Sequence, residues 1–168
     1  RVSCNTMSPL SAWFSDPEVR RHLGIYLPFS LAQEERWFES LLERTERRQT
    51  FLFGIETLDG THIGNVGLHD INWKDRSAEL GITIGEKAYW NQGYGTDAIR
   101  TLLGVAFGEM NLHRVSLRVD ADNPRAIRCY EKAGFHLDGT LRDNVFREGH
   151  YVNQHVMSIL QPEYETLE

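Results

Sequence analysis

The chain has 168 residues, 40% hydrophobic and 25% charged, which is enough apolar material for one soluble domain with a core and too little length for two. A formal charge of -6 argues against non-specific nucleic-acid binding, and two cysteines far apart, Cys4 and Cys129, support neither a disulfide framework nor a zinc knuckle. No apolar run reaches the length of a membrane span and no basic-then-apolar leader opens the chain, so a single cytoplasmic domain over residues 1–168, without membrane or nucleic-acid partners, is expected.

Ser8-Pro9 supplies an N-cap and a first-turn proline for a short helix with Leu10, Trp13 and Phe14 on one face. Asp16-Pro17 interrupts it before a second short helix through Val19 and Leu23. Ser30 and Gln33 make a capping box, after which Trp37, Phe38, Leu41 and Leu42 recur at helical spacing to near Arg48. Phe51 to Ile55 and Ile63 to Leu68 flank Asp59-Gly60 and read as an antiparallel hairpin, and Ala78 to Ile84 is the next strand, ended by Gly85. Ala98, Ile99, Leu102, Leu103, Ala106, Phe107 and Met110 then form the buried stripe of the most regular helix. Arg114 to Val119 is a strand, and Asn123 caps a helix with Pro124 at its first position and Gly134 just past its end. From Phe135 two strands join around Arg147-Glu148-Gly149 and finish at Met157 to Leu160. This order predicts an α/β (α+β) domain with a mixed, mostly antiparallel sheet flanked by helices.

Two stretches carry the chemistry. Trp90-Asn91-Gln92-Gly93-Tyr94-Gly95-Thr96 lies between a strand and a long helix, where unpaired N–H groups and the helix dipole receive a pyrophosphate. A Gly-x-Gly is also simply a tight turn, and the spacing fits neither a Walker A loop nor a full dinucleotide fingerprint. The second stretch, Asn123 to Phe135, puts Tyr130 inside a capped helix. Taken singly, Trp90 reads equally as a core anchor, Asn123 as a plain N-cap and Tyr130 as a half-buried helix aromatic. Together a phosphate cradle and a phenol suggest group transfer from a nucleotide-like carrier.

The runs from Tyr89 to Leu103 and from Leu112 to Phe135 resemble the coenzyme A-binding core of the GNAT N-acetyltransferases, closest to the branch of ribosomal-protein N-terminal and spermidine N-acetyltransferases. The resemblance extends from about Phe51 to Leu160. It implies acetyl-CoA as co-substrate and no metal. Backbone groups of Ile82, Thr83 and Ile84 would pair with the pantetheine arm, and Asn91, Gln92, Gly93, Tyr94, Gly95 and Thr96 would wrap the pyrophosphate. Asn123 would bond the pantetheine or its thioester end, with Arg125 beside it, and Tyr130 would protonate the departing thiolate. A phenol with a pKa near 10 is protonated at neutral pH, as that role requires, and direct attack by an amine needs no enzyme nucleophile. Cys129 is therefore read as a small core residue facing away from Tyr130.

The attacking amine must also lose a proton. Glu79 stands where this branch often carries a carboxylate; it is either a base acting through water, a cation-binding group, or a strand glutamate paired with Arg76. His69, His113 and Asp70 are weaker candidates. Departures from the family pattern are Trp90, where Gln or Arg is frequent, Ala126 in place of a common serine, and Arg1 to Asn5, which offer little of the usual opening strand and leave that strand's completeness open. Glu34, Glu35, Glu39 and the net charge suggest a polyamine-like acceptor, although a solvated helix face explains those glutamates too. A protein N-terminus or amino acid is the alternative acceptor, and a coenzyme A-binding sensor or assembly domain the non-enzymatic one. The strands around Tyr151 to Leu160 are expected to offer the edge of a homodimer.

Overall fold

The computed structural model describes residues 2–3, 10–24 and 30–166. Ser8, Pro9 and Cys4 lie outside the described residues, so the proposed cap of the first helix is not addressed. Helices α1 (Leu10–Ser15) and α2 (Pro17–Arg20) are separated by Asp16, whose carboxylate accepts from the Glu18 N–H at 2.9 Å. Helix α3 (Leu31–Glu46) opens with the expected capping box: the Ser30 N–H donates to Gln33 Oε1 at 2.9 Å and the Gln33 N–H to Ser30 Oγ at 3.3 Å. Its stripe is narrower than the sequence suggests. Leu41 is buried, but Leu42 faces solvent.

Among the described residues, seven strands form one sheet in the order β1-β2-β3-β4-β5-β7-β6. They are β1 (Val2–Ser3), β2 (Phe51–Glu56), β3 (His62–Asn72), β4 (Ser77–Ile84), β5 (Arg114–Asp120), β6 (His136–Arg147) and β7 (His150–Leu160). The opening strand that the sequence seemed to lack exists in short form, with Val2 opposite Ile55 and Ser3 opposite Gly54. All neighbours are antiparallel except β4 and β5, so the sheet is mixed and mostly antiparallel, as expected. The strand read as a dimer edge is not one: β7 lies between β5 and β6, because the tight Glu148-Gly149 turn, with both φ positive, folds β6 to the outside.

One sheet face packs on α4 (Tyr94–Gly104) and α5 (Pro124–Lys132), around Ile99, Leu103, Leu112, Val115, Leu117 and Ile159. After Gly104 the helix widens into a π-helical turn, Val105–Glu109, with the Met110 N–H donating to the Val105 carbonyl at 2.9 Å. The regular stripe read through Met110 is thus interrupted in its last turn, while Ala106 and Phe107 remain buried. A second apolar cluster joins Trp13, Phe14 and Val19 to Leu23, Trp37 and Trp90, packing the N-terminal helices beside the end of β4. A short α6 (Gln161–Glu165), absent from the sequence reading, closes the described chain, its Tyr164 ring 5.3 Å from Phe107.

Candidate active site

Strands β4 and β5 run parallel for only three pairs, Ser77 with Arg114, Ala78 with Val115 and Glu79 with Ser116. Beyond Glu79 they part. The gap is a cleft of about 320 Å³, lined on one side by Ile82, Thr83 and Ile84 and on the other by Arg118, Val119 and Asp120. The backbone of Ile82 to Ile84 is paired with β3 on one edge only, so the edge facing the cleft offers backbone groups to an extended ligand, apart from the Ile84 carbonyl, which accepts from the Trp90 indole.

The start of α4 forms the next wall. Gly93, with φ +89°, caps it without any side-chain bond, so the first-turn N–H groups of Tyr94, Gly95 and Thr96 have no side-chain acceptor at the cap. Asn91 also takes a left-handed conformation, at φ 60°. Gly95 permits a close approach: a Cβ there would stand 3.2 Å from Cys129 Sγ on α5. Free amides at a positive helix end, with Arg125, Arg128 and Lys132 on the same cleft, form an anion site suited to a pyrophosphate. The pattern of edge strand, uncapped helix start and basic side chains fits coenzyme A.

Eleven of the thirteen residues read as site residues therefore line one cleft: Ile82, Thr83, Ile84, Asn91, Gly93 and Tyr94, then Gly95, Thr96, Asn123, Arg125 and Tyr130. Gln92 does not, because its amide turns back to the Ala88 carbonyl. Glu79 does not line it either. It sits in the stretch where β4 is still paired on both sides, opposite His69 and Ser116, below the point where the strands open. His69 Nδ1 lies 3.2 Å from Asp70 Oδ2, which accepts from it, and the ring lies over Gly81, away from the cleft; His113 is exposed, with its backbone N–H donating to the Arg76 carbonyl. Glu35 and Glu39 are exposed on α3, and neither they nor Glu34 line the cleft.

Asn123 proves to be both cap and lining residue, its Oδ1 accepting from the Ala126 N–H at 3.2 Å. Trp90 likewise has two roles. Its Nε1 donates to the Ile84 carbonyl at 2.8 Å within the second apolar cluster, while the Arg125 guanidinium lies 3.7 Å above its ring. Tyr130 is 8% exposed and packs near Phe135; burial, reinforced by the neighbouring Cys129 thiol, pushes its phenol well above the usual range. Cys129 corrects the reading that it faces away. It lines the same cleft, 3.3 Å from Thr96 Oγ1, and burial raises its thiol pKa.

At the other end of the cleft, the structure assembles a group that sequence reasoning missed. Asp120 is 2% exposed at the end of β5; its Oδ2 accepts from Arg147 Nε at 3.0 Å and its Oδ1 from Gln154 Nε2 at 2.9 Å. His22, just after α2, places Nδ1 3.4 Å from Asp120 Oδ2 and 3.7 Å from Asp122 Oδ1. The ligand-type atoms of His22, Asp120 and Asp122 lie within 4.8 Å of one another, but the cation balancing this group is the Arg147 guanidinium.

The Acetyltransferase (GNAT) domain family matches residues 7–136. The chain belongs to the GNAT acetyltransferases. A spermidine N(1)-acetyltransferase of Vibrio cholerae is 32% identical over 160 residues, covering 95% of this chain and 84% of its own. A putative ribosomal N-acetyltransferase of Bacillus subtilis, YdaF, is 29% identical over 151 residues, 87% of this chain and 82% of the relative. The crystal structure of spermidine N-acetyltransferase from Vibrio cholerae in complex with CoA and spermine superposes with a TM-score of 0.84 at 27% identity, covering 93% of this chain and 90% of that one. This GNAT chain is thus an acetyl-CoA-dependent N-acetyltransferase acting on amines. Among the described residues no helix is long and apolar enough to cross a membrane.

Proposed function

We propose that this acetyltransferase uses a polyamine-like small amine as acceptor, which attacks the acetyl-CoA thioester directly. The observation that carries this reading is the likeness, over nearly the whole chain, to the spermidine acetyltransferase whose complex holds CoA and spermine. The charge of the cleft is compatible with it: its lining carries the carboxylates of Glu18 and Asp120 as well as the cations of Arg125, Arg128 and Lys132, so it holds groups of both signs for a cationic acceptor and an anionic donor.

On this reading Ile82, Thr83 and Ile84 pair with the pantetheine, Gly93 to Thr96 hold the pyrophosphate with Arg125, and Asn123 orients the thioester end. Tyr130 protonates the departing thiolate. A phenol that burial keeps protonated beside the cleft suits that step.

Thiol release from acetyl-CoA, followed with spermidine, spermine, a set of free amino acids and short peptides, tests the acceptor. Spermidine or spermine is expected to give kcat/KM at least about tenfold above the others, an advantage of about 1.4 kcal/mol. Preference for peptides with a free N-terminus would transfer the assignment to the alternative supported by the ribosomal-type relative.

A further inference from the structure

The acetyl transfer leaves one proton without an owner. An amine with a pKa near 10.4 is almost wholly protonated at neutral pH, roughly one molecule in a few thousand being free, and an ammonium has no lone pair with which to attack. Tyr130 cannot accept that proton because it already holds its own. Glu79, His69, Asp70 and His113 do not line the cleft.

We infer that His22 is the base that takes the proton from the acceptor ammonium, with Asp120 as the residue that positions it. His22 lines the cleft, and its side chain is 23% exposed, so it is reachable from the ligand side. Nδ1 is turned toward Asp120 Oδ2 at 3.4 Å, an oxygen that can only accept when ionised. The pair therefore favours the tautomer with its proton on Nδ1 and its lone pair on Nε2, the arrangement by which a carboxylate orients a catalytic imidazole. Asp120 is itself fixed by Arg147 and Gln154, from the two strands of the terminal hairpin, so the imidazole is steered by a buried and immobile group.

Asp120 on β5 and Asp122 beyond it stand beside this imidazole, Arg147 on β6 bonds Asp120, and Glu18 on α2, paired with Lys87, and Arg118 on β5 share the cleft lining. Arg147 neutralises Asp120 and Lys87 pairs with Glu18 at 3.0 Å, which leaves Asp122, 3.7 Å from His22 Nδ1, as the carboxylate that attracts an ammonium to the vicinity. The proton balance closes. One N–H proton passes from the ammonium to His22 Nε2, the free nitrogen forms the new C–N bond as the C–S bond breaks, and the thiolate takes the Tyr130 proton. The acylated nitrogen gives its second surplus proton to solvent as the neutral amide forms, the imidazolium returns its own to solvent and Tyr130 is reprotonated from solvent, so the turnover releases one proton net.

This inference rests on acetyl transfer to an amine and not on the acceptor being a polyamine. It is tested by the pH dependence of kcat/KM for spermidine in the wild type and in His22→Gln. A base acting on bound ammonium gives a profile that levels off between neutral and mildly alkaline pH. Without it only the free amine reacts, so the variant should lose about 100-fold at pH 7 and recover with unit slope in log kcat/KM as pH rises, with the acetyl-CoA KM unchanged. A variant whose profile stays parallel to the wild type at every pH would overturn the role. Should spermidine not be turned over, the polyamine reading fails, and the same two profiles taken with the accepted amine still decide the role of His22. Independently of turnover, ¹⁵N shifts of the neutral imidazole in the wild type should show the proton on Nδ1; a proton on Nε2 would overturn the inference.

Discussion

The Arg125 guanidinium lies over the Trp90 indole, 3.7 Å from its centre, while that indole donates to the Ile84 carbonyl at the end of β4. One ring thus ties the strand edge to the basic end of the cleft. Burial depresses the Arg125 pKa, opposed by the Glu18 and Cys129 charges, yet an arginine stays protonated throughout, so its charge is available to an anionic ligand. Trp90→Ala removes the platform and should weaken coenzyme A binding roughly 2- to 30-fold, the range of a cation–π contact of about 0.5–2 kcal/mol. Arg125→Ala should weaken it similarly, and the double variant by less than the product of the two, as calorimetric titration with coenzyme A would show. Fully additive losses would mean that ring and guanidinium act independently.

Tyr130→Phe separates chemistry from binding. The variant keeps the buried ring and its packing on Phe135 and loses only the hydroxyl, so coenzyme A affinity should hold while kcat falls about 10- to 1000-fold. Unchanged kcat would remove Tyr130 from the acid step.

The same residue sets a response to alkali. Its folded pKa is raised above the unfolded value of 10.0, first by burial and then by Cys129, so the folded state holds a proton that the unfolded state releases. The associated stability is complete below about pH 10 and is lost as pH rises further. Wild-type protein should therefore unfold in alkali at a lower pH than Tyr130→Phe, which has no phenol to ionise. Circular dichroism across that range checks it, and coincident curves for the two proteins would contradict the shift.

What the sequence made legible was local. The cap at Asn123, the proline after it, the Gly93-Tyr94-Gly95 turn and the capping box at Ser30 are each set by neighbours within a few residues, and each is where spacing put it. The opening of β4 from β5 left no such trace, since it depends on which strands pair and for how long. That is why Glu79, a few positions before the cleft-lining Ile82, was read as a site residue although it stands below the point of parting. The His22, Asp120 and Arg147 group was invisible for a related reason: His22 and Asp120 are 98 positions apart and Asp120 and Arg147 27, and no periodicity joins them. An aspartate ending a strand ahead of a capped helix was the only hint available. Likewise β7 looked like an edge because strand order in space does not follow order in the chain.

Cys129 offers a chemical probe of the donor end of the cleft. Burial raises its thiol pKa against the opposing effects of Thr96, Lys132 and Arg125, so at neutral pH it is largely the unreactive thiol. In a Cys4→Ser background, alkylation by iodoacetamide at pH 7.5 should be slower than that of a free cysteine, by about tenfold or more, and coenzyme A should slow it further. The alkylated protein should no longer bind coenzyme A, because the added group stands beside Thr96 in the first turn of α4. Rapid labelling unaffected by coenzyme A would place the thiol outside the donor cleft.

Gly85 carries the clearest packing prediction. It follows β4, and a Cβ built there would fall inside the Trp13 ring, whose Nε1 donates to Glu86 Oε1 at 2.8 Å and whose face lies 5.0 Å from the His62 ring. The neighbour is a buried indole with little freedom to withdraw, so Gly85→Ala must displace Trp13 or bend the chain at the end of β4. Overpacking of this kind costs about 1–3 kcal/mol, which for a domain of this size lowers Tm by roughly 2–12 °C. Because Trp13, Val19 and Leu23 form one cluster, moving the indole should also disturb the turn that holds His22. Gly85→Ala is therefore expected to lose activity at temperatures well below its own Tm, whereas Gly139→Ala, where a Cβ meets nothing within 4 Å, should do neither. Thermal melts and kcat measured on both variants decide it, and a Gly85→Ala protein as stable and active as the wild type would show that the Trp13 contact is not a fixed one.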